Sequence, residues 1–215
     1  MKDVKEHFDS EAKAYDSLIL TLIPNYSEMT DVLVNSIPFD GKESFKVLDL
    51  GCGTGNISKK IKEKFSNSKI HCVDLADNMV KIAKKKLADY SEISYETGDF
   101  QSISLSSDYN VIVSSLAMHH LKTDQDKKEM YQKIYESLIP GGVFYNADVV
   151  LGSTKYLQNL YLEKWKEFMA LSHSEEEIEN KWMPTHRRED KPAKMIDHIK
   201  WLEEAGFKQV DVVWK

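Results

Sequence analysis

A ten-residue segment in the first third of the chain has residue types that could bind a small ligand. It reads Val47-Leu48-Asp49-Leu50-Gly51-Cys52-Gly53-Thr54-Gly55-Asn56. An apolar run that ends in a glycine-rich turn is typical of a buried strand leading into a helix. Glycines there let a ligand approach the backbone because they carry no Cβ. The segment therefore predicts a nucleotide-like ligand at the carboxyl end of the first strand of a doubly wound sheet.

The spacing of the glycines separates two classes of ligand. A dinucleotide turn has the pattern G-x-G-x-x-G, with the pyrophosphate at the helix N-terminus. Counted from Gly51, the third glycine of that pattern would fall on Asn56. Asp49 would repel a pyrophosphate but would suit a cationic amino group. The segment resembles motif I of class I S-adenosylmethionine (SAM) dependent methyltransferases, whose cofactor carries an ammonium, a carboxylate and a sulfonium but no phosphate.

Two further acids stand where later strands are predicted to end. Asp74 follows Gly51 by 23 residues, and an acid about 20 residues beyond such glycines binds the ribose hydroxyls. The alternative is a helix cap, which Asp77 could also provide. Asp99 lies in a Gly-Asp-Phe corner. The resemblance implies that Asp99 faces the adenine amino group, whereas an ordinary Gly-Asp turn is the alternative.

A histidine pair follows the predicted fourth strand, in Ala117-Met118-His119-His120-Leu121. In the methyltransferases this is usually where the acceptor meets the methyl group. His119 and His120 are therefore candidate general bases, which are needed only if the acceptor must lose a proton. The alternative is that both histidines cap or pack the loop. The seven histidines show no ligand spacing with acids or cysteines, so we expect no metal.

The chain is also similar, over nearly its whole length, to the carboxy-SAM synthase family, SAM-binding relatives that act in tRNA wobble-uridine modification. The similarity rests on Pro24-Asn25-Tyr26-Ser27, on the run KIYESLIPGG from Lys133, and on Glu204-Ala205-Gly206-Phe207. It implies that the cofactor is contacted by Tyr26, Gly51, Cys52, Gly53, Asp74, Leu75, Asp99, Phe100 and Ser115.

One departure from that family bears on the reaction. Its arginine that holds the extra carboxylate corresponds to Trp201 here, and an indole cannot form a bidentate carboxylate clamp. Arg187 or Arg188 could substitute in space. We therefore expect a SAM-dependent methyltransferase, with carboxy-SAM synthesis as the alternative.

Strand and helix patterns alternate through the centre of the chain, which predicts a mostly parallel, doubly wound Rossmann-like α/β sheet with helices on both faces. The predicted strands are 45–50, 69–75, 93–97, 109–115, 142–150 and 209–214, and the predicted helices between them are 55–65, 77–88 and 124–138. We expect one domain over 1–215: a helical lid at 1–36, the cofactor-binding core at 45–150, a helical cover at 151–190, and a last helix and strand at 191–215. The seventh strand that usually completes such sheets has no counterpart after the sixth.

Composition narrows the possible partners and the compartment. The net charge of −6 disfavours an RNA substrate, although lysines are frequent in the helices after the first two strands. We expect a small-molecule acceptor, with RNA modification or a non-catalytic SAM-binding partner as alternatives, and a homodimer stays open. A polar N-terminus and the lack of a long apolar run predict a cytoplasmic protein without a membrane segment. Two cysteines are too few for a disulfide scaffold.

Overall fold

A computed structural model describes residues 2–215, with side chains from residue 4 onward; Met1 of the predicted lid lies outside the described residues. The strands are β1 Lys46–Leu50, β2 Lys69–Asp74, β3 Ile93–Thr97, β4 Tyr109–Ser115 and β5 Leu138–Ala147. The helices are α1 Lys2–Glu11, α2 Tyr15–Leu22, α3 Tyr26–Asn35, α4 Asn56–Lys64, α5 Asp77–Lys86, α6 Asp124–Ser137, α7 Lys155–Met169, α8 Glu175–Glu177, α9 Met183–Glu189 and α10 Met195–Ala205. A 3-10 turn covers Met118–His120, and a π-helical turn covers Ile178–Trp182.

The five strands form one parallel sheet in the order β3-β2-β1-β4-β5. The order reverses direction between β1 and β4, and in such sheets a crevice opens outside the carboxyl ends of the strands at this switch point. The predicted fold class and the strands β1 to β4 are confirmed, to within a residue at each end. The glycine turn after β1 therefore lies at the switch point.

Apolar cores lie on both sides of the sheet. One face packs β1 and β4 against α6 and α10 through residues such as Leu48, Ile112 and Tyr131. The other packs the same strands against α3 and α4 through Val47, Val111 and Ile61. Alternate residues of β1 and β4 serve opposite faces because successive side chains of a strand point in opposite directions. Both faces are covered, as expected for strands that are apolar along their whole length.

The predicted sixth strand, Gln209 to Trp214, is wrong. Residues 207–215 contain no strand, although their valines suit one, because a strand exists only where a neighbour supplies a hydrogen-bonding ladder. The side chain of Trp214 instead packs beside Ile19, Tyr26 and Met29. The segment therefore does not extend the sheet, and its Trp214 packs against the N-terminal helices.

The lid and the fifth strand differ in detail from the prediction. Within the predicted helical lid at 1–36, residues 12–14 form a turn between α1 and α2. The fifth strand was predicted at 142–150, but β5 begins at Leu138 and ends at Ala147. Tyr109 pairs with Leu138 but Val111 pairs with Val143, so the intervening residues form a bulge.

Most lysine side chains of the helices α4 and α5 make contacts within the chain. Lys59 and Lys60 pair with Glu63 and Asp31. Lys62 is buried and donates from Nζ to the carbonyls of Ser66 and Ser68, each at 2.7 Å. These contacts fit the interpretation of α4 as an ordinary amphipathic helix.

Candidate cofactor cleft and histidine cluster

A cleft opens at the carboxyl ends of β1, β2 and β4, where the glycine turn meets the N-terminal helices. It is lined by Val4, Phe8, Tyr15, Gly51, Gly53, Asp74, Leu75, Met79, Phe100, Ser115, Leu116, Ala117 and His120. Seven of these were predicted site residues, namely Gly51, Gly53, Asp74, Leu75, Phe100, Ser115 and His120. The structure thus brings together residues spread over 70 positions of the sequence.

The glycine turn is held in a shape that only glycine tolerates at its first position. Gly51 has φ +73°, and a Cβ there would lie 2.4 Å from the Cβ of Ala117. The amides of Gly51 and Cys52 both donate to the carbonyl of Val73, at 2.8 and 3.0 Å. The turn is therefore fastened to the end of β2, and the close approach of Ala117 requires a residue without a side chain.

Asp74 lies in the cleft as predicted. Its carboxylate accepts from the amide of Gly53 at 2.8 Å and from the amide of Ala76 at 2.9 Å. Burial raises its pKa, although these two amides act in the opposite direction. The alternative role as a helix cap does not apply to Asp74, since the amide of Asn78 in the first turn of α5 donates to Asp9 of α1 at 2.8 Å.

Asp49 lies beneath the turn and does not line the cleft. Its side chain is 1% exposed, and the Ser58 hydroxyl donates to its Oδ2 at 2.5 Å. Burial raises the pKa of Asp49 to about 7, and the nearby charge of Asp74 acts in the same direction. The structure therefore places an acid with a strongly perturbed pKa one layer below the cofactor cleft.

Three more predicted cofactor residues lie outside the cleft lining. Asp99 accepts from the amide of Gln101 at 3.0 Å, which is the ordinary turn geometry given above as the alternative. Tyr26 is buried against α2, and its hydroxyl accepts from Asn56 Nδ2 at 3.4 Å. Cys52 is buried behind the turn with a free thiol. Phe100, next to Asp99, does reach the cleft.

The end of β4 supplies two unusual features. The hydroxyl of Ser115 is buried without a hydrogen-bond partner, and such a group costs free energy unless a ligand or water satisfies it. Leu116 adopts φ +52°, a left-handed conformation that is unfavourable for a branched side chain and that is often found at functional sites. Both residues line the cleft, so both features point to a ligand there.

The histidine pair divides between the cleft and a buried polar cluster behind it. His120 lines the cleft, whereas His119 bonds to Asp148 through Nδ1. Asp190 lies close to both histidines, and His186 Nδ1 bonds to its Oδ2 at 2.7 Å. We name His119, His120, Asp148, His186 and Asp190 the histidine cluster.

Within the histidine cluster the pKa values of the two adjacent imidazoles are shifted in opposite directions. Burial, together with the neighbouring charge of His119, lowers the pKa of His120 to about 3. Burial also acts to lower the pKa of His119, but the charge and hydrogen bond of Asp148 outweigh it and raise that pKa. His120 Nδ1 faces the carbonyl of Glu189 at 3.4 Å, and its Nε2 is buried without a partner.

The N-terminal helices close the cleft from above. Val4, Phe8 and Tyr15 line it, and Asp16 accepts from Thr54 Oγ1 at 2.5 Å and from Asn56 Nδ2 at 3.0 Å. Lys86 pairs with the same carboxylate at 2.6 Å. The space left inside is about 50 Å³, whereas ligand pockets typically measure roughly 300–1,000 Å³.

Val4 and Phe8 of α1, which line the cleft, were not predicted as site residues, although the sequence indicated the helix face that carries Phe8. Phe8, Ala12 and Tyr15 stand at i, i+4 and i+7, which indicates an apolar helix face but not what that face covers. Trp201, which was compared with a carboxylate-binding arginine, lies in the core with its ring 5.4 Å from that of His198. Arg188 pairs with Glu189, and no arginine is among the described residues that line the cleft.

A family model described as a methyltransferase domain matches residues 47–142. An uncharacterised methyltransferase of Anoxybacillus flavithermus is 31% identical over 170 residues, which cover 77% of this chain and 76% of the relative. Malonyl-[acyl-carrier protein] O-methyltransferase 2 of Ilyobacter polytropus is 32% identical, over 66% of this chain and 52% of its own length. The carboxy-SAM synthase of Nautilia profundicola is 25% identical, over 97% of this chain and 89% of its own length.

The chain spans about half the length of the malonyl-[acyl-carrier protein] relatives that it matches. Among solved structures, phosphoethanolamine N-methyltransferase 2 of Haemonchus contortus has a TM-score of 0.69 at 18% identity. That match covers 93% of this chain and 42% of the other. At 18% identity, this similarity shows that the two chains share a fold and nothing about their acceptors. Among residues 2–215, no helix is both long enough and apolar enough to cross a membrane.

Proposed function

Since this chain belongs to the class I SAM-dependent methyltransferase family, we propose that it transfers the SAM methyl group to a small-molecule acceptor. The observation that carries the proposal is the cleft at the switch point of the sheet. The glycine turn, the Asp74 carboxylate and the unpartnered hydroxyl of Ser115 meet there. The turn lets a ligand approach the backbone, and the two side chains supply the polar atoms that a nucleoside with an amino-acid tail requires.

In this proposal the adenosine lies along the ends of β2 and β3, beside Asp74, Leu75 and Phe100. Asp74 binds the ribose hydroxyls, since its half-buried carboxylate faces the cleft and has acceptor capacity beyond its two backbone amides. The amino-acid tail lies over the glycine turn, near the acid Asp49. We retain Tyr26, Cys52 and Asp99 as proposed contacts of the bound form, although they lie outside the lining of the closed cleft.

Cofactor entry requires the N-terminal helices to move, since about 50 Å³ of space admits only a few waters at roughly 10–15 Å³ each. We therefore propose that α1 and α2 form a lid. Its contact with the glycine turn is carried by Asp16, which bonds to Thr54, Asn56 and Lys86. The turn at residues 12–14 between the two helices supplies the hinge.

For methyl transfer, the protein mainly has to align the acceptor with the methyl group. The sulfonium methyl is already electrophilic, so the site must orient an in-line attack and exclude water. Phe8, Leu116 and Ala117 give the cleft apolar walls, which suit an uncharged or aromatic acceptor. Of the two histidines proposed as general bases, only His120 reaches the cleft.

The first test measures cofactor binding by calorimetry with S-adenosylhomocysteine. Loss of the Asp74 hydrogen bonds should cost about 1.5–3 kcal/mol, so Asp74→Ala should bind roughly 10- to 150-fold more weakly. Asp108→Ala is the matched control, because Asp108 is an exposed acid paired with Lys46 at the opposite end of the sheet. Equal affinity of both variants would remove the ribose assignment, and binding of NAD in place of the SAM product would refute the proposal as a whole.

Carboxy-SAM synthesis is the second candidate, favoured by a relative that matches 97% of the chain. The lack of a cleft-lining arginine among the described residues supports methyl transfer instead. Mass spectrometry of the cofactor after incubation with SAM and prephenate separates the two. Only SAM and its demethylated product are expected, and a carboxylated cofactor would overturn the choice. Labelled SAM offered to small-molecule, RNA and protein fractions then identifies the acceptor class.

A further inference from the structure

The histidine cluster contains three side chains whose spacing matches the coordination shell of one metal ion. His119, His120 and Asp190 each offer a ligand atom, and these three atoms all lie within 4.8 Å of one another. His119 Nε2 lies 3.5 Å from Asp190 Oδ1, and His120 Nδ1 lies 3.4 Å from the same oxygen. Both separations exceed the roughly 2.7–2.9 Å of a charge-assisted hydrogen bond.

These separations are those expected between two ligands of one ion. In a tetrahedral shell with metal–ligand bonds of about 2.0–2.2 Å, neighbouring ligand atoms lie roughly 3.3–3.6 Å apart. We propose that His119, His120 and Asp190 bind a divalent first-row transition metal ion such as Zn²⁺. Two imidazoles and one carboxylate favour Zn²⁺ or Fe²⁺ over the oxygen-preferring Mg²⁺ and Ca²⁺.

The groups behind two of the three ligands, His119 and Asp190, have the arrangement found around metal ions. A metal-bound histidine usually engages a carboxylate or carbonyl through its other side, which fixes the ring. His119 uses Nδ1 to bond Asp148, leaving Nε2 toward Asp190. His186 Nδ1 bonds Asp190 Oδ2 at 2.7 Å and leaves Oδ1 toward the two histidines. The atom of each of these two ligands that faces away from the centre is therefore held by another side chain.

The histidine cluster is buried and polar, and the described residues leave some of its atoms without partners. Asp148 Oδ2 and His120 Nε2 are both buried without a hydrogen bond, although neither is one of the three proposed ligand atoms. His119 and His120 are only 6% and 8% exposed, so bulk water does not compensate them. A cation between the ligands offsets the negative charge of Asp148 and Asp190, and its remaining coordination positions are open to water or to an oxygen ligand.

The site adjoins the cofactor cleft because His120 lines it. Its existence does not depend on methyl transfer, and its test measures metal binding alone. Protein freed of metal by a chelator is titrated with Zn²⁺ in a competition assay with a chromophoric chelator. We expect one Zn²⁺ per chain and a rise in Tm on binding. Co²⁺ in place of Zn²⁺ should give the visible absorption of a four-coordinate site.

Variants locate the ion. His120→Gln and Asp190→Asn each remove a ligand and should weaken Zn²⁺ binding more than about 100-fold. Asp148→Asn replaces the carboxylate that bonds His119 with an amide of the same shape, and it should weaken Zn²⁺ binding by about 10- to 100-fold. His71→Gln is the control, because His71 bonds Tyr109 and lies outside the cluster. Asp148→Asn keeps its volume, so it still reports if a ligand variant fails to fold. No saturable Zn²⁺ binding, or binding reduced equally by His71→Gln, would overturn the site.

Discussion

The buried carboxyl group of Asp49 should make the stability of the protein depend on pH in a way that one substitution removes. Its pKa is raised from an ordinary value of 3.8 to about 7, chiefly by burial. A raised pKa means that the folded state favours the protonated acid. The contribution to stability is therefore full below pH 3.8 and is lost as the pH rises through 7. Asp49→Asn keeps the shape and an acceptor for Ser58 but carries no charge.

The size of the effect follows from the shift of about three pH units. At about 1.4 kcal/mol per unit, the raised pKa of Asp49 costs about 4 kcal/mol at pH 8.5 and about 2 kcal/mol at pH 5. Asp49→Asn should therefore stabilise the protein by an amount that grows by about 2–3 kcal/mol between these pH values. Because the side chain is 1% exposed, solvent screening reduces this figure little.

Urea unfolding of both proteins between pH 5 and pH 8.5 measures the difference directly. The other titrating groups are common to the two proteins and cancel in the comparison, apart from Asp74, whose charge interacts with that of Asp49. Calorimetry with SAM adds a second measurement, since loss of the negative charge should weaken binding of the cationic cofactor. A stability difference that stays constant with pH would refute the assignment of a raised pKa to Asp49.

Three further perturbations test other parts of the structure. Gly51→Ala should lower the free energy of unfolding by about 1–3 kcal/mol more than Gly141→Ala does, as measured by urea unfolding. Both glycines have positive φ, but of the two only Gly51 would place a Cβ within 4 Å of another atom. Equal losses would contradict the close approach of Ala117. Amide exchange in α1 and α2 should slow when S-adenosylhomocysteine binds, and it should be faster in ligand-free Asp16→Ala than in the ligand-free wild type. If neither the ligand nor the substitution changes the exchange rate, the two helices are permanently docked and the lid is refuted. Trp201→Arg should destabilise the protein by about 3–5 kcal/mol, since Trp201 is buried in the core. Mass spectrometry of this variant should find no carboxylated cofactor. A stable variant that holds such a cofactor would support the correspondence of Trp201 with the carboxylate-binding arginine of the carboxy-SAM synthases.

The parts of the fold that the sequence predicted are those fixed by local pattern. β1 is an apolar run closed by a glycine turn, and both signals lie within ten residues. The predicted strand at 209–214 contains three valines, which suit a strand, but it is not a strand, because pairing depends on a partner far away in the chain. Apolar residues that favour a strand were thus sufficient where a neighbour existed and misleading where none did.

The site divides in the same way. The glycine turn and Asp74 have a fixed spacing along the chain, so their meeting in the cleft was predictable. The histidine cluster was not, because Asp190 and His186 join His119 from about 70 residues away through a cover of irregular helices. Asp99 had two interpretations, and the structure of the closed cleft has the local one, since the amide of Gln101 is the nearest donor to its side chain.

The position of β5 at one edge of the sheet bears on how the protein behaves at high concentration. An edge strand presents main-chain N–H and C=O groups to which a strand of another molecule can add. The bulge between Leu138 and Val143, together with Pro140, which lacks an N–H, interrupts this row of groups. The uninterrupted stretch is Val143–Ala147, only about 17 Å of strand at roughly 3.3 Å per residue. The irregular start of β5 therefore shortens the surface open to intermolecular pairing.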